Sequence, residues 1–160
     1  MAFYEHGAPV RLADFGFANH YTGFHQYAKM PYSPPFTAPE HHHRFFDVNQ
    51  AKRMDIYSLG MLFLWLLFKD SWSELPHGLA SGAAETESSN INRSSITPKS
   101  NTKSELGDMV AFACAKLDEW RGIPDDEKER LRLFFSQTLA FDPMDRSTDI
   151  EHLICVLTDE

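Results

Sequence analysis

Cysteine is scarce in this sequence, with only Cys114 and Cys155 among 160 residues. That is too few for the disulfide framework of a small secreted domain. Each lies in an apolar helical pattern, where cysteine behaves as a small buried hydrophobe, so a reducing, intracellular compartment, cytoplasmic or nuclear, is expected. Positive charge is also in short supply: 15 Lys and Arg stand against 23 Asp and Glu, for a net charge of −8. Such a balance excludes a phosphate-binding surface of the nucleic-acid type. Long apolar runs are missing too. The longest, Met61 to Phe68, falls far short of the roughly 20 residues a bilayer core requires, and no membrane partner is expected. Residues Met1 to Gly7 carry neither the basic flank nor the apolar run of a signal peptide. Without one, the triplet Asn92-Arg93-Ser94 reads as a chance match to a glycosylation site.

What is present is the composition of one globular domain, 42% hydrophobic and 13% aromatic, at a length able to bury a core. The most apolar stretch, Arg53 to Phe68, predicts a central buried helix over 53–68. After Gly60 its apolar residues run all the way round, the pattern of a helix covered by protein on every side. Gly60 costs a helix about 1 kcal/mol relative to Ala, which predicts a close approach by another backbone.

Before that helix, residues 1–13 read as a short N-terminal strand, with Val10 and Leu12 on one face. It runs into Asp14-Phe15-Gly16, where a glycine free to take unusual backbone angles can hold the acid out into a cleft. Phe17 to Thr37 has no helical or alternating period and predicts a loop of about twenty residues, a length that in compact domains tends to be functional or disordered. Pro34, Pro35 and Pro39 fix its end, and Glu40 begins a short helical turn. The run His41-His42-His43 is not a metal site, because adjacent helical positions point about 100° apart and cannot converge on one ion. Residues 70–104 are poor in aliphatics and rich in Ser, Asn, Thr, Gly and Ala, the composition of a disordered insert.

Helical periodicity returns over 105–160. Leu106, Met109, Val110, Ala113, Leu117 and Trp120 define one amphipathic helix ending near Gly122. Pro124-Asp125-Asp126-Glu127 starts the next, whose buried face is Leu131, Phe134, Phe135, Thr138 and Leu139. The last is predicted to begin at Thr148, with a capping box to Glu151, and to bury Ile150, Leu153, Ile154 and Leu157. These stripes are core and are assigned no chemistry.

Taken together, Arg11-Leu12-Ala13-Asp14-Phe15-Gly16, Ala38-Pro39-Glu40, Asp55-Ile56-Tyr57-Ser58-Leu59-Gly60 and Asp142-Pro143-Met144-Asp145-Arg146 resemble, in order and spacing, the C-terminal lobe of a eukaryotic protein kinase. The Asp-Phe-Gly and Ala-Pro-Glu tripeptides are markers of that family. The resemblance covers nearly the whole chain outside the 70–104 insert and implies a mainly α, incomplete kinase-like fold. It implies Mg-ATP as cofactor, with Asp14, Phe15 and Gly16 at its site and Asp14 on the metal, a hard cation that takes oxygen ligands. It further implies an activation segment within 14–40, with Ser33, Pro34, Pro35, Phe36 and Thr37 docking a protein substrate, and a buried ion pair between Glu40 and Arg146. Ser33 holds the place where serine/threonine kinases usually carry Thr and tyrosine kinases Pro, a slight lean to Ser/Thr substrates.

The same comparison shows what the sequence does not contain. It has no Gly-rich loop, no strand lysine with its helix glutamate, and no His-Arg-Asp catalytic loop with the downstream Asn; Met1 falls just after that Asn would be. General-base catalysis alone contributes about 10² to 10⁴ in rate, so this chain by itself is expected to be inactive and to hold Mg-ATP poorly. It reads either as a piece of a kinase catalytic domain or as a stand-alone kinase-like (pseudokinase) module that binds or scaffolds a protein partner. The surface facing the missing N-terminal lobe is one candidate for that contact. The resemblance assigns Asp55 to the backbone of the missing loop. Asp55 is therefore expected to lack its usual partners, and apolar surface near the N-terminal half of the helix to lie open.

Overall fold

Asp47 sets the start of the longest helix. In the computed structural model, which describes residues 13–18, 20, 27–41, 45–75 and 108–158, its carboxylate accepts from Asn49 N at 2.8 Å and Gln50 N at 2.9 Å, while Gln50 Oε1 accepts from Asp47 N at 3.0 Å. This reciprocal capping box satisfies N–H groups that a helix start leaves open. Helix α1 therefore runs Val48–Phe68, beginning before the expected Arg53. The expected N-terminal strand over 1–13 lies outside the described residues except at Ala13. Among the described residues the only β pairing is the antiparallel bridge between Ala28 and Phe46, and the fold is mainly α.

Among the described residues three further helices follow: α2, Met109–Glu119, α3, Asp125–Thr138, and α4, Ile150–Thr158. Asp108 caps α2 by accepting from Ala111 N at 3.1 Å. Pro124 precedes α3, and Asp125, Asp126 and Glu127 occupy its first turn, where carboxylates suit the positive end of the dipole. The expected Thr148–Glu151 capping box is not the device that starts α4. Asp149 takes that place, its carboxylate accepting from His152 N at 3.1 Å and its carbonyl from Leu153 N at 3.2 Å. Leu153 is buried, but Ile150 and Ile154 are exposed, because α4 packs against α3 along the narrower strip of Leu153, Val156 and Leu157. Cys155 is likewise exposed rather than buried.

The core lies between α1, α2 and α3. Met54, Tyr57, Met61 and Leu64 face it from α1, Ala113 and Leu117 from α2, and Phe134 and Phe135 from α3. The closest approach is at Gly60, where a Cβ would stand 2.5 Å from Thr138 Oγ1 and 2.8 Å from Leu139 Cδ2. The glycine thus admits the side chains at the end of α3, where a backbone was expected. Phe63 and Phe134 pack with ring centroids 4.8 Å apart beside it.

The expectation that α1 is covered on every side does not hold. Leu62, Trp65 and Leu66 are 42%, 39% and 57% exposed. Apolar composition round a helix does not by itself bring a neighbour to each face, since much of any protein surface is apolar. The open apolar surface also sits in the C-terminal half, not the N-terminal half, where Ala51, Met54, Ile56 and Tyr57 are buried. Nor does disorder begin at residue 70: a 3-10 turn over Lys69–Glu74 leads to the buried Leu75, and Lys116 on α2 pairs with Glu74 at 2.6 Å. Trp72 in that turn packs on Phe36 at 5.9 Å. The remainder of the proposed insert, 76–104, lies outside the described residues.

Candidate functional site

Asp14 takes a left-handed backbone, φ 63° and ψ 68°, a conformation that Asp tolerates better than most residues because its short side chain bonds locally. Its Oδ1 accepts from Gly16 N at 3.4 Å, and a Cβ on residue 16 would lie 3.3 Å from that oxygen. Gly16 therefore lets the carboxylate fold back over the Phe15–Phe17 turn. Phe15, Gly16 and Phe17 are all exposed, as is Asp14. Magnesium demands near-octahedral oxygen ligation, built from carboxylates together with phosphates and water. A single exposed carboxylate supplies one such ligand and leaves the others to phosphates and water; among the described residues no group of three or more His, Cys, Asp or Glu could hold a metal ion. His41 is described, whereas His42 and His43 are not.

The segment Ser33–Thr37 is built quite differently. Ser33 N donates to Thr37 Oγ1 at 2.7 Å and Phe36 N donates to the Ser33 carbonyl at 3.0 Å, closing a tight turn around a cis Pro34-Pro35 bond. The turn is fastened to α1 by Ser58, whose hydroxyl donates to the Phe36 carbonyl at 2.8 Å and reaches the Met54 carbonyl at 3.1 Å. His41 fastens its other end: Nε2 donates to the Met30 carbonyl at 3.0 Å, and the imidazole packs between Tyr32 and Phe46 with both centroids 5.5 Å away. Between turn and helix opens a cleft of about 80 Å³, lined by Met30, Ser33, Phe36 and Thr37 on one side and Met54, Asp55 and Ser58 on the other. Asp55 stands exposed at the rim, yet partial burial raises its carboxyl above the ordinary 3.8.

Below the cleft, Arg146 is wholly buried and holds the turn at Glu40 in place. Its NH1 and NH2 donate to the two Glu40 carboxylate oxygens at 2.6 and 3.0 Å. Its remaining N–H groups reach the carbonyls of Ala140 at 2.7 Å, Arg53 at 3.3 Å and Phe141 at 3.2 Å. A guanidinium has five N–H donors, so each has an acceptor, and the Tyr57 ring packs on its face at 4.8 Å. The Tyr57 phenol is raised by burial, keeping it neutral beside the guanidinium.

The structure thus brings Ser33, Pro34, Pro35, Phe36, Thr37, Glu40, Arg146 and Asp55 into one neighbourhood at the N-terminal half of α1. Gly60 lies further along the helix, against α3. None of the hydrogen bonds, ion pairs or ring contacts among the described residues joins Asp14, Phe15 or Gly16 to that neighbourhood. Sequence reasoning missed His41 and Ser58. His41 stands in a histidine run that the sequence marks only as no metal site, and Ser58 has no local signal of its own beyond a helical position.

The family model described as Protein kinase domain matches residues 2–156. Searches of curated proteins and of solved structures returned no significant match. No helix among the described residues is long and apolar enough to cross a membrane.

Proposed function

Because this chain belongs to the protein kinase domain family, whose chemistry is transfer of the γ-phosphoryl group from Mg-ATP to protein side chains, we propose that the chain's own contribution is peptide docking and not phosphoryl transfer. The observation that carries this reading is the contrast between two parts of the site. Ser33–Thr37 is turned, bonded to α1 through Ser58 and backed by the Glu40–Arg146 pair, whereas Asp14 is a single exposed carboxylate. Phosphoryl transfer depends almost wholly on positioning and on neutralising phosphate charge. The sequence has no catalytic-loop aspartate, Gly-rich loop or strand lysine to do either. The chain alone therefore neither retains Mg-ATP nor turns it over. Ser33 inclines the substrate toward Ser/Thr proteins.

Peptide binding tests the docking half. A fluorescein-labelled, serine-containing peptide should bind the chain, and Ser58→Ala, which removes the bond to Phe36, should weaken binding by about threefold to tenfold, the range for one lost hydrogen bond. Equal affinity for the variant would contradict the docking role of this turn.

A second reading, a stand-alone kinase-like binding or scaffolding module, is favoured by the exposed Leu62, Trp65 and Leu66 on α1. Exposed apolar surface of this kind marks interaction sites. On that reading a protein partner, or the N-terminal lobe that the sequence does not contain, covers the open surface, and changes at these residues would abolish partner binding while leaving peptide affinity unchanged.

A further inference from the structure

His41 stands where the buried Glu40–Arg146 pair meets the entry to the Ser33–Thr37 turn. Its backbone has a fixed base: the neighbouring Glu40 is held by the buried Arg146, and His41 N donates to the Ala38 carbonyl at 3.0 Å. From this base the imidazole reaches Met30, whose carbonyl oxygen lies 3.0 Å from Nε2. A carbonyl can only accept, so Nε2 carries the proton. The ring packs between Tyr32 and Phe46, with both centroids 5.5 Å away. Phe46 is itself tied to this segment, exchanging two backbone hydrogen bonds of 3.0 Å with Ala28.

We propose that His41 is a positioning residue for peptide docking: its Nε2–H, held on the Met30 carbonyl, sets the approach of the chain to the Ser33–Thr37 turn, and peptide affinity follows this donor and not the ring. This rests on the docking reading above and adds to it the residue that orients the turn. The link from Met30 to the turn is short and stiff. Pro31 has a locked φ and no N–H, and Met30, as the residue before a proline, is confined to extended angles. Fixing the Met30 carbonyl therefore carries through Pro31 and Tyr32 to Ser33, whose N–H donates to Thr37 Oγ1 at 2.7 Å and closes the turn. The far side of the turn is held separately, by Ser58 on the Phe36 carbonyl at 2.8 Å. A turn released at its entry has to be reordered when a peptide binds, and that ordering is subtracted from affinity. The ring has another task. Packed on Tyr32 and on the buried Phe46, it contributes to stability as aromatic pairs do. Donor and ring are thus separable in their effects.

The test uses the full chain, a fluorescein-labelled, serine-containing peptide, and two substitutions that each keep one half of His41. His41→Gln places an amide N–H as many bonds from Cβ as Nε2 and loses the ring. His41→Phe keeps a ring between Tyr32 and Phe46 and loses the donor. Fluorescence anisotropy should show binding to His41→Phe weakened by about threefold to tenfold, the range for one lost hydrogen bond, and His41→Gln within about twofold of the unaltered chain. Thermal midpoints should rank the variants the other way, with His41→Gln the lower, because two ring contacts outweigh one neutral hydrogen bond at a partly exposed site. Affinities that follow the order of the midpoints, or an equal loss in both variants, would make His41 part of the scaffold alone and overturn the inference. Unchanged affinity in both variants would overturn it too and leave the docking reading standing. Loss of helical circular dichroism in either variant would make His41 a requirement of the fold and overturn the assignment as well. No binding of the peptide to the unaltered chain would overturn the docking reading and this inference together.

Discussion

Glu40 and Arg146, 106 positions apart in the sequence, form a two-pronged ion pair at 2.6 and 3.0 Å, in which the arginine side chain is 0% and the glutamate 17% exposed. The pair links the Ala38–His41 turn to the stretch between α3 and α4. It thereby holds both segments to the N-terminal half of α1, where the Arg53 carbonyl also receives a guanidinium N–H.

Removing one side of this pair should be costly. Arg146→Ala leaves the Glu40 carboxylate without its partner and strips the donor from three backbone carbonyls, those of Ala140, Arg53 and Phe141, and breaking a buried pair in this way costs about 3 to 5 kcal/mol. A large fall in the urea or thermal midpoint is expected. Glu40→Gln, which retains one acceptor oxygen for Arg146, should fall less. An unchanged midpoint in Arg146→Ala would contradict the packing described here.

Gly60→Ala pits helix propensity against space. Alanine gains about 1 kcal/mol over glycine in a helix interior, yet its Cβ would lie 2.5 Å from Thr138 Oγ1 and 2.8 Å from Leu139 Cδ2. Overpacking a core costs about 1 to 3 kcal/mol, and the neighbouring atoms belong to buried side chains. Chemical denaturation should therefore show net destabilisation, with a stabilised variant ruling out the close approach of α1 and α3.

Asp55 gives a pH signature of defined sign. Its carboxyl is raised above 3.8 by desolvation, so in the window just above 3.8 the folded protein binds more protons than the unfolded chain. Stability contributed by this group is then present at low pH and falls as pH rises through the folded value. Asp55→Asn should raise the unfolding midpoint at neutral pH, and the gain should disappear below about pH 3.8. A midpoint lowered by the substitution at neutral pH would mean that the carboxylate is stabilised by a partner.

The long helices were legible in the sequence for a simple reason. Met109, Ala113, Leu117 and then Phe134, Phe135 and Thr138 repeat at helical spacing and are buried on α2 and α3. Gly60 was legible as a close approach, because glycine inside an apolar helix carries a cost that needs a steric reason. The pairing of Glu40 with Arg146 is not written in any local period; only the resemblance of their surrounding motifs pointed to it. The apolar run does not mark where α1 starts, because the cap lies ahead of it in Asp47 and Gln50. The exposure of Leu62, Trp65 and Leu66 was illegible, since composition reports what a residue prefers and not which neighbour reaches it. His41 depends on Tyr32, Phe46 and the Met30 carbonyl meeting in space, which no spacing rule encodes.

Peptide docking without phosphate transfer is tested most directly by incubating the purified chain with magnesium, γ-labelled ATP and a serine-containing peptide. No label should appear on the peptide above a protein-free control, and Asp14→Ala should give the same result. Steady incorporation of label that is lost in Asp14→Ala would contradict it.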